Sequence, residues 1–171
     1  MDKQTLILLA QYNRAANLEM NQLIKSLTDD QWNQRFKAFF SSLKSMCNHI
    51  YVADNVWLYR FSQLRTFEYV KSLGSTSPLS FKELYTPTIS EYLTKRDITD
   101  QLLQEFVEEI TQEDIDSDLT YLDSRGGEHS HNFGDLALHM FNHQTHHRGM
   151  ISVYLEGLDI DNDFNSIMSY L

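Results

Sequence analysis

The chain has 171 residues, 42% of them hydrophobic, and 24 Asp and Glu against 14 Lys and Arg, for a formal charge of −10. So acidic a surface repels phosphate backbones and no Lys/Arg cluster offsets it, so nucleic acid is not an expected partner. With six glycines and two prolines, turns are few and elements long, which favours an all-α fold over a sandwich or barrel.

The length suits one domain over 1–171 with a continuous core. The apolar run at 6–10 is far too short to span a bilayer and follows no signal-peptide pattern, so no membrane association is expected. A lone cysteine, Cys47, excludes an intramolecular disulfide framework and fits a reducing cytoplasm.

Leu9, Tyr12, Ala16, Met20, Leu23 and Leu27 recur at helical spacing and predict a first helix over 3–27. Residues 28–38 are polar and read as a connector. A second helix follows to about residue 65, with Met46, Ile50, Ala53, Trp57 and Leu64 inward. The stretch 73–87 holds Gly74, both prolines and several Ser/Thr residues, and reads as a long crossing loop. Within it, Ser80 and Glu83 have capping-box spacing for a short helical turn.

Thr88 and Glu91 repeat that spacing and predict the start of a third helix. Tyr92, Leu103, Phe106 and Ile110 form its buried stripe, while Glu105, Glu108 and Glu109 look outward as a solvated face. Residues 116–132 alternate and then reach Gly126 and Gly127, which reads as a short hairpin-like excursion. A His-rich helix over 136–158 closes a four-helix bundle with one long crossover between the second and third helices, before a tail or last short helix.

That last helix carries four of the seven histidines. At 100° per residue, Leu136, Met140, Ile151, Tyr154 and Leu158 share one stripe, with His143 and His147 in its middle. An imidazole needs partners for both nitrogens away from water, so two of them four residues apart on an inward face point to a bound divalent metal. A third ligand must come from another element. His49 is the best placed, at the edge of the second helix's inner stripe, where small Ala53 leaves room for an ion. Pairings through His139 with His143, or His139 with His146, remain open. Yet His139 and His146 lie roughly 60–80° off the stripe and suit a rim. His129 and His131 fall in the loop before the helix.

Arg148 is suited to orienting an anionic substrate, to pairing with an acid such as Asp54, or to a surface salt bridge. Asp54 reads equally as a solvated helix residue. Trp57, Tyr51, Tyr59 and Phe61 read as core or interface packing. Cys47 lies roughly 160° around the helix from His49 and reads as buried filler. The chain has no Gly-rich phosphate loop, HExxH or nucleophile elbow, and no Glu-x-x-His of the di-iron kind around His143 and His147.

The segment NHQTHHRGM at 142–150 closely resembles the hallmark of the bacterial DinB family, and NHIYVADNVWLYRF at 48–61 matches its other recurring block. YNRAANLEM at 12–20 is similar to its first-helix block, and the closing DFNSIMSYL is similar in style, so the resemblance spans nearly the full length. It implies a four-helix bundle with up-down-down-up connectivity, often homodimeric, holding nickel or zinc through three histidines. Carried over, those ligands are His49, His143 and His147. Met150 departs from the glutamine frequent after Arg-Gly, which bears on polarity at the substrate side. The wider superfamily implies a metal-dependent enzyme that transfers a low-molecular-weight thiol to a small-molecule electrophile. A hydrolase and a non-catalytic, dimeric stress-response protein are the alternatives.

Overall fold

Helix α1, Lys3–Lys25, begins where the Asp2 carboxylate accepts the Thr5 N–H at 2.8 Å. The computed structural model describes residues 1–74 and 77–170, so Ser75 and Thr76 of the expected crossing loop and the terminal Leu171 lie outside the described residues. The connector after α1 is not merely polar. A capping box of Thr28 and Gln31 starts a short helix α2, Asp29–Asn33, which turns Trp32 fully inward. Helix α3, Leu43–Phe61, is shorter at both ends than the sequence pattern suggests, because Ser42 and Ser45 cap it and the chain turns at Ser62.

A 3-10 turn at Tyr69–Ser72 opens the crossing segment. Ser80 makes a local turn there, accepting the Lys82 N–H at its hydroxyl and the Glu83 N–H at its carbonyl, but no helix follows. Helix α4, Ile89–Glu109, starts at the expected Thr88–Glu91 capping box. Glu109 is not simply solvated: its carboxylate accepts the N–H groups of Glu68 and Tyr69, tying α4 to the 3-10 turn. A second short capped helix, α5, Gln112–Asp116, leads into the hairpin.

Strands β1, Asp118–Leu122, and β2, Glu128–Asn132, pair antiparallel with Thr120 opposite Ser130. The fold is therefore mostly helical rather than strictly all-α. Gly126, with φ of +84°, permits the tight tip, and Asp123 accepts the N–H groups of Arg125 and Gly127 there. Asn132 ends β2 and caps helix α6, Phe133–Glu156. A final 3-10 turn spans Ile167–Tyr170. No helix among the described residues is long and apolar enough to cross a membrane.

Helix α1 packs against α4 and α6, and α3 packs against the same two. The apolar side chains divide into two clusters. One joins Leu6, Phe61, Phe106 and Phe133; the other joins Met20, Met46, Tyr92 and Leu155. Between them along every long helix lies a buried polar layer. Arg96 donates to Asp54 at 2.5 Å and pairs with Asp100 at 2.9 Å, and Asn17 donates to Asp100 at 2.8 Å. Gln144 also donates to Asp54, and Arg148 donates to Asn13. Two guanidinium groups and two carboxylates thus offset one another away from water, as buried charges require.

Candidate metal centre

Three histidines from two helices meet at one edge of this polar layer. His49 comes from α3, one turn before Ala53; His143 and His147 come from successive turns of α6. Their facing Nε2 atoms lie 3.1 Å apart for His49 and His143, and 3.0 Å apart for His143 and His147. The three form a group whose ligand atoms all fall within 4.8 Å of one another. A tetrahedron with metal–nitrogen arms of ~2.0–2.1 Å has edges of about 3.3 Å, close to the two short separations.

Hydrogen bonding alone does not satisfy this arrangement. Each neutral Nε2 carries either one proton or one lone pair, so His143 can serve only one of its two close neighbours. The other contact sets like groups face to face. Protonation is no remedy: burial and the neighbouring rings depress all three imidazoles to about 4. At neutral pH the rings are uncharged and their lone pairs converge, which suits a cation. The Nδ1 atoms of His143 and His147 are buried without a protein partner, so packing rather than a second hydrogen bond orients these rings.

Phe40 supplies much of that packing, with its ring 4.5 Å from His49 and edge-on to His147 at 5.6 Å. Tyr154 holds this segment by donating to the Phe40 carbonyl and stacking on Phe36 at 4.6 Å. On the other side Phe81 lies 5.9 Å from the His49 ring. Asn48, adjacent to His49, positions it: its side-chain oxygen accepts the N–H groups of Tyr85 and Thr86, and its amide donates to the Glu83 carbonyl. A cavity of about 460 Å³ opens beside His49, lined by Val52, Phe40 and Phe81 among others. Val52 lines this cavity and Ala53 does not, so the room beside the histidine is not the work of the small Ala53 side chain.

The remaining expectations divide. His139 and His146 are exposed, as a rim position requires, although His139 packs on Trp57 at 5.4 Å. His129 pairs with Asp123 in the hairpin, at 3.1 Å, and His131 is exposed nearby; neither joins the three. Cys47 is fully buried, with burial pushing its thiol up, and stands apart from the site. Trp57 and Phe61 are core residues, while Tyr51 and Tyr59 are only half-buried.

Arg148 and Asp54 overturn their readings. Neither is at the surface and they do not pair: Asp54 takes Arg96, while Arg148 is sealed against Asn13 and Asn17 over the Tyr12 ring. Arg148 is thereby removed from any direct role on an anionic substrate. The centre of the α6 stripe runs through Gln144 and Arg148, both 0% exposed, with His143 and His147 beside it. Helical spacing alone did not distinguish a polar centre from a histidine centre. The placement of Phe40 and Phe81 carries no periodic signal either, since both lie outside helices.

A sequence model of the DinB family matches residues 1–158. The chain belongs to the DinB family. Among relatives of this DinB-family chain, Protein DinB of Bacillus subtilis (strain 168) is 24% identical over 148 residues, covering 86% of this chain and 82% of that protein. The crystal structure of a DinB-like protein from Bacillus subtilis gives a TM-score of 0.59 at 19% identity, covering 88% of this chain and 91% of that one, which shows a shared fold. The matched region contains all three converging histidines of this DinB-family member, so the triad that can hold a metal lies within the family portion.

Proposed function

We propose that His49, His143 and His147 bind a divalent ion, zinc or nickel, and that the site serves a metal-dependent reaction, thiol-dependent S-transfer in the first place. The observation that carries this reading is the convergence of three uncharged Nε2 atoms beside an open cavity. Three protein ligands with an accessible side suit a catalytic centre; four with none suit a structural one. A bound ion supplies Lewis acidity, favouring the thiolate form of a small thiol, or hydroxide where water takes its place. The chain's own residues would hold the ion, with Phe40 packed on His49 and His147 and Phe81 beside His49. Cys47 is buried and protonated, so the reacting sulfur comes from a separate thiol.

The same reading includes a four-helix bundle of up-down-down-up connectivity, a homodimer and a cytoplasmic setting. The connectivity is supported by residue pairs across the helices. Arg14 with Gln101 and Lys3 with Glu108 run in opposite order along α1 and α4. Asp54 with Arg96 and Phe61 with Phe106 run in the same order along α3 and α4.

Metal analysis of untagged protein, repeated for His49→Ala, His143→Ala and His147→Ala, tests the ligand set. About one ion per chain in the native protein and its loss in each variant is the expected result. Stoichiometric metal in all three variants overturns the assignment. Thiol transfer to a model electrophile is then compared for loaded and chelated protein, and equal rates remove the S-transfer reading.

A further inference from the structure

A second cavity, of about 820 Å³, opens between α3, the segment 78–82 and the hairpin tip. That volume lies within the ~300–1,000 Å³ of small-molecule sites. Val56, Tyr59 and Phe81 contribute apolar surface to its walls, and none of the three histidines lines it. Its charged liners are Arg60, Lys82 and Arg125 against the single carboxylate of Asp123. A net positive recess in a chain of charge −10 concentrates anions locally, because low-dielectric walls focus the field.

Arg60 is the prepared group. Its guanidinium carbon lies 4.7 Å from the Trp57 ring centre and 4.9 Å from that of Tyr121. The two rings lie edge-on to each other, 5.4 Å apart, on one flank of the planar fork, and restrict it while accepting none of its N–H hydrogen bonds in the plane. Among the described residues Arg60 donates no hydrogen bond to a protein oxygen and forms no ion pair. The nearby Asp123 is already engaged by Gly127, Arg125 and His129. A half-buried guanidinium resting on two rings with its donors free is suited to a carboxylate or phosphate in bidentate contact.

We propose that this cavity binds an amphipathic organic anion, with its acidic head on Arg60 and its apolar body along Val56, Tyr59 and Phe81. Phe81 also faces His49, and His49, Val52, Val56 and Arg60 form one stripe of α3 about 16 Å long. The body of such a molecule is therefore directed toward the histidines. That direction rests on the metal-centre reading; the anion site itself does not.

Isothermal titration of chelator-treated, full-length protein with octanoate tests the proposal without any metal contribution. Saturable one-site binding is expected, with octanol about tenfold or more weaker. Arg60→Met, which keeps an apolar stem against the rings, weakens octanoate by at least about tenfold. Thr120→Trp fills the cavity from an exposed strand position and abolishes binding while leaving Arg60 in place. Octyl phosphate is titrated alongside; the tighter of the two anions names the head group. No saturable binding of either anion, or equal binding of octanol and octanoate, overturns the proposal. Unchanged octanoate affinity in folded Arg60→Met or Thr120→Trp overturns it as well. Loss of metal in the histidine variants leaves each of these outcomes unaffected, so the two readings fail separately.

Discussion

Gln144 donates a hydrogen bond to Asp54 across the α3–α6 contact, one residue beyond His143 and five beyond His49. Both residues are 0% exposed. The bond fixes the rotation of α6 against α3, and that rotation aims His143 at His49. Asp54 is itself held by Arg96 of α4, so the histidine cluster is braced by a third helix that contributes no histidine to it.

Gln144→Met removes the brace with little change of volume. Zinc affinity is expected to fall ~10–100-fold, the usual effect of losing a ligand-orienting partner. Competition titration against a chromogenic chelator measures it. Affinity within twofold of the native value, in a variant that melts normally, would show that packing alone orients the histidines.

Arg148 is expected to matter for stability and not for substrate. Arg148→Met leaves Asn13 and Asn17 without their buried donor and takes one positive charge from beside Asp54 and Asp100. A loss of about 2–4 kcal/mol in urea unfolding follows from a buried charged hydrogen bond left unmade. Native stability with a raised KM would instead place the guanidinium on a substrate.

Asn48 ties the crossing segment to α3 beside the site. Asn48→Ala strands the N–H groups of Tyr85 and Thr86, of which Thr86 is fully buried, at a cost of about 1–3 kcal/mol. The segment then loosens, and faster hydrogen exchange at 81–86 is expected with α1 and α4 unchanged. Uniform exchange across the chain would mean global destabilisation instead.

Two carboxylates respond to pH with opposite sign. Full burial outweighs the attraction of Arg96 and pushes Asp54 up to about 6. The N–H of Gly127, then the His129 side chain, then the N–H of Arg125 pull the exposed Asp123 down to about 2. A raised carboxyl contributes stability that is fully present below the unfolded value of about 4 and is lost as pH rises through 6. A lowered one contributes above about 4 and loses that contribution as pH falls through 2. In an NMR titration the Gly127 amide should follow a midpoint near 2. In metal-free protein the three depressed imidazoles make stability rise with pH between about 4 and 6 and Asp54 opposes them, so Asp54→Asn should steepen that rise relative to the native chain. Midpoints near 4 for both carboxyls would contradict the geometry of each site.

Much of this was legible in one dimension. Periodicity located the four long helices, and short-range capping chemistry marked the start of α4, because a Thr–Glu pair three residues apart satisfies the same backbone donors wherever the helix packs. The hairpin was legible for a similar reason: strand alternation and a glycine tip are local signals. Spacing also set His143 and His147 on one face, since the pitch of a helix does not depend on its neighbours. His49 as their partner rested on its stripe position and on family resemblance.

What the sequence could not determine is which polar residues on an inward face belong to the interior. Gln144, Arg148 and Asp54 look like surface residues until the facing helices bring Arg96, Asn13 and Asn17 to meet them. Their burial is tolerable only because partners far away in the chain satisfy them, and such partners have no periodic signature. The same holds for the packing of Arg60 on the Trp57 and Tyr121 rings, which joins a helix to a strand. The sequence by itself determined the helices, the hairpin and the shared face of two histidines, because each depends on contacts within a few residues. Only the tertiary structure decided the meeting of three imidazoles, the buried charge layer and the two cavities, because those depend on how separate helices rotate against one another.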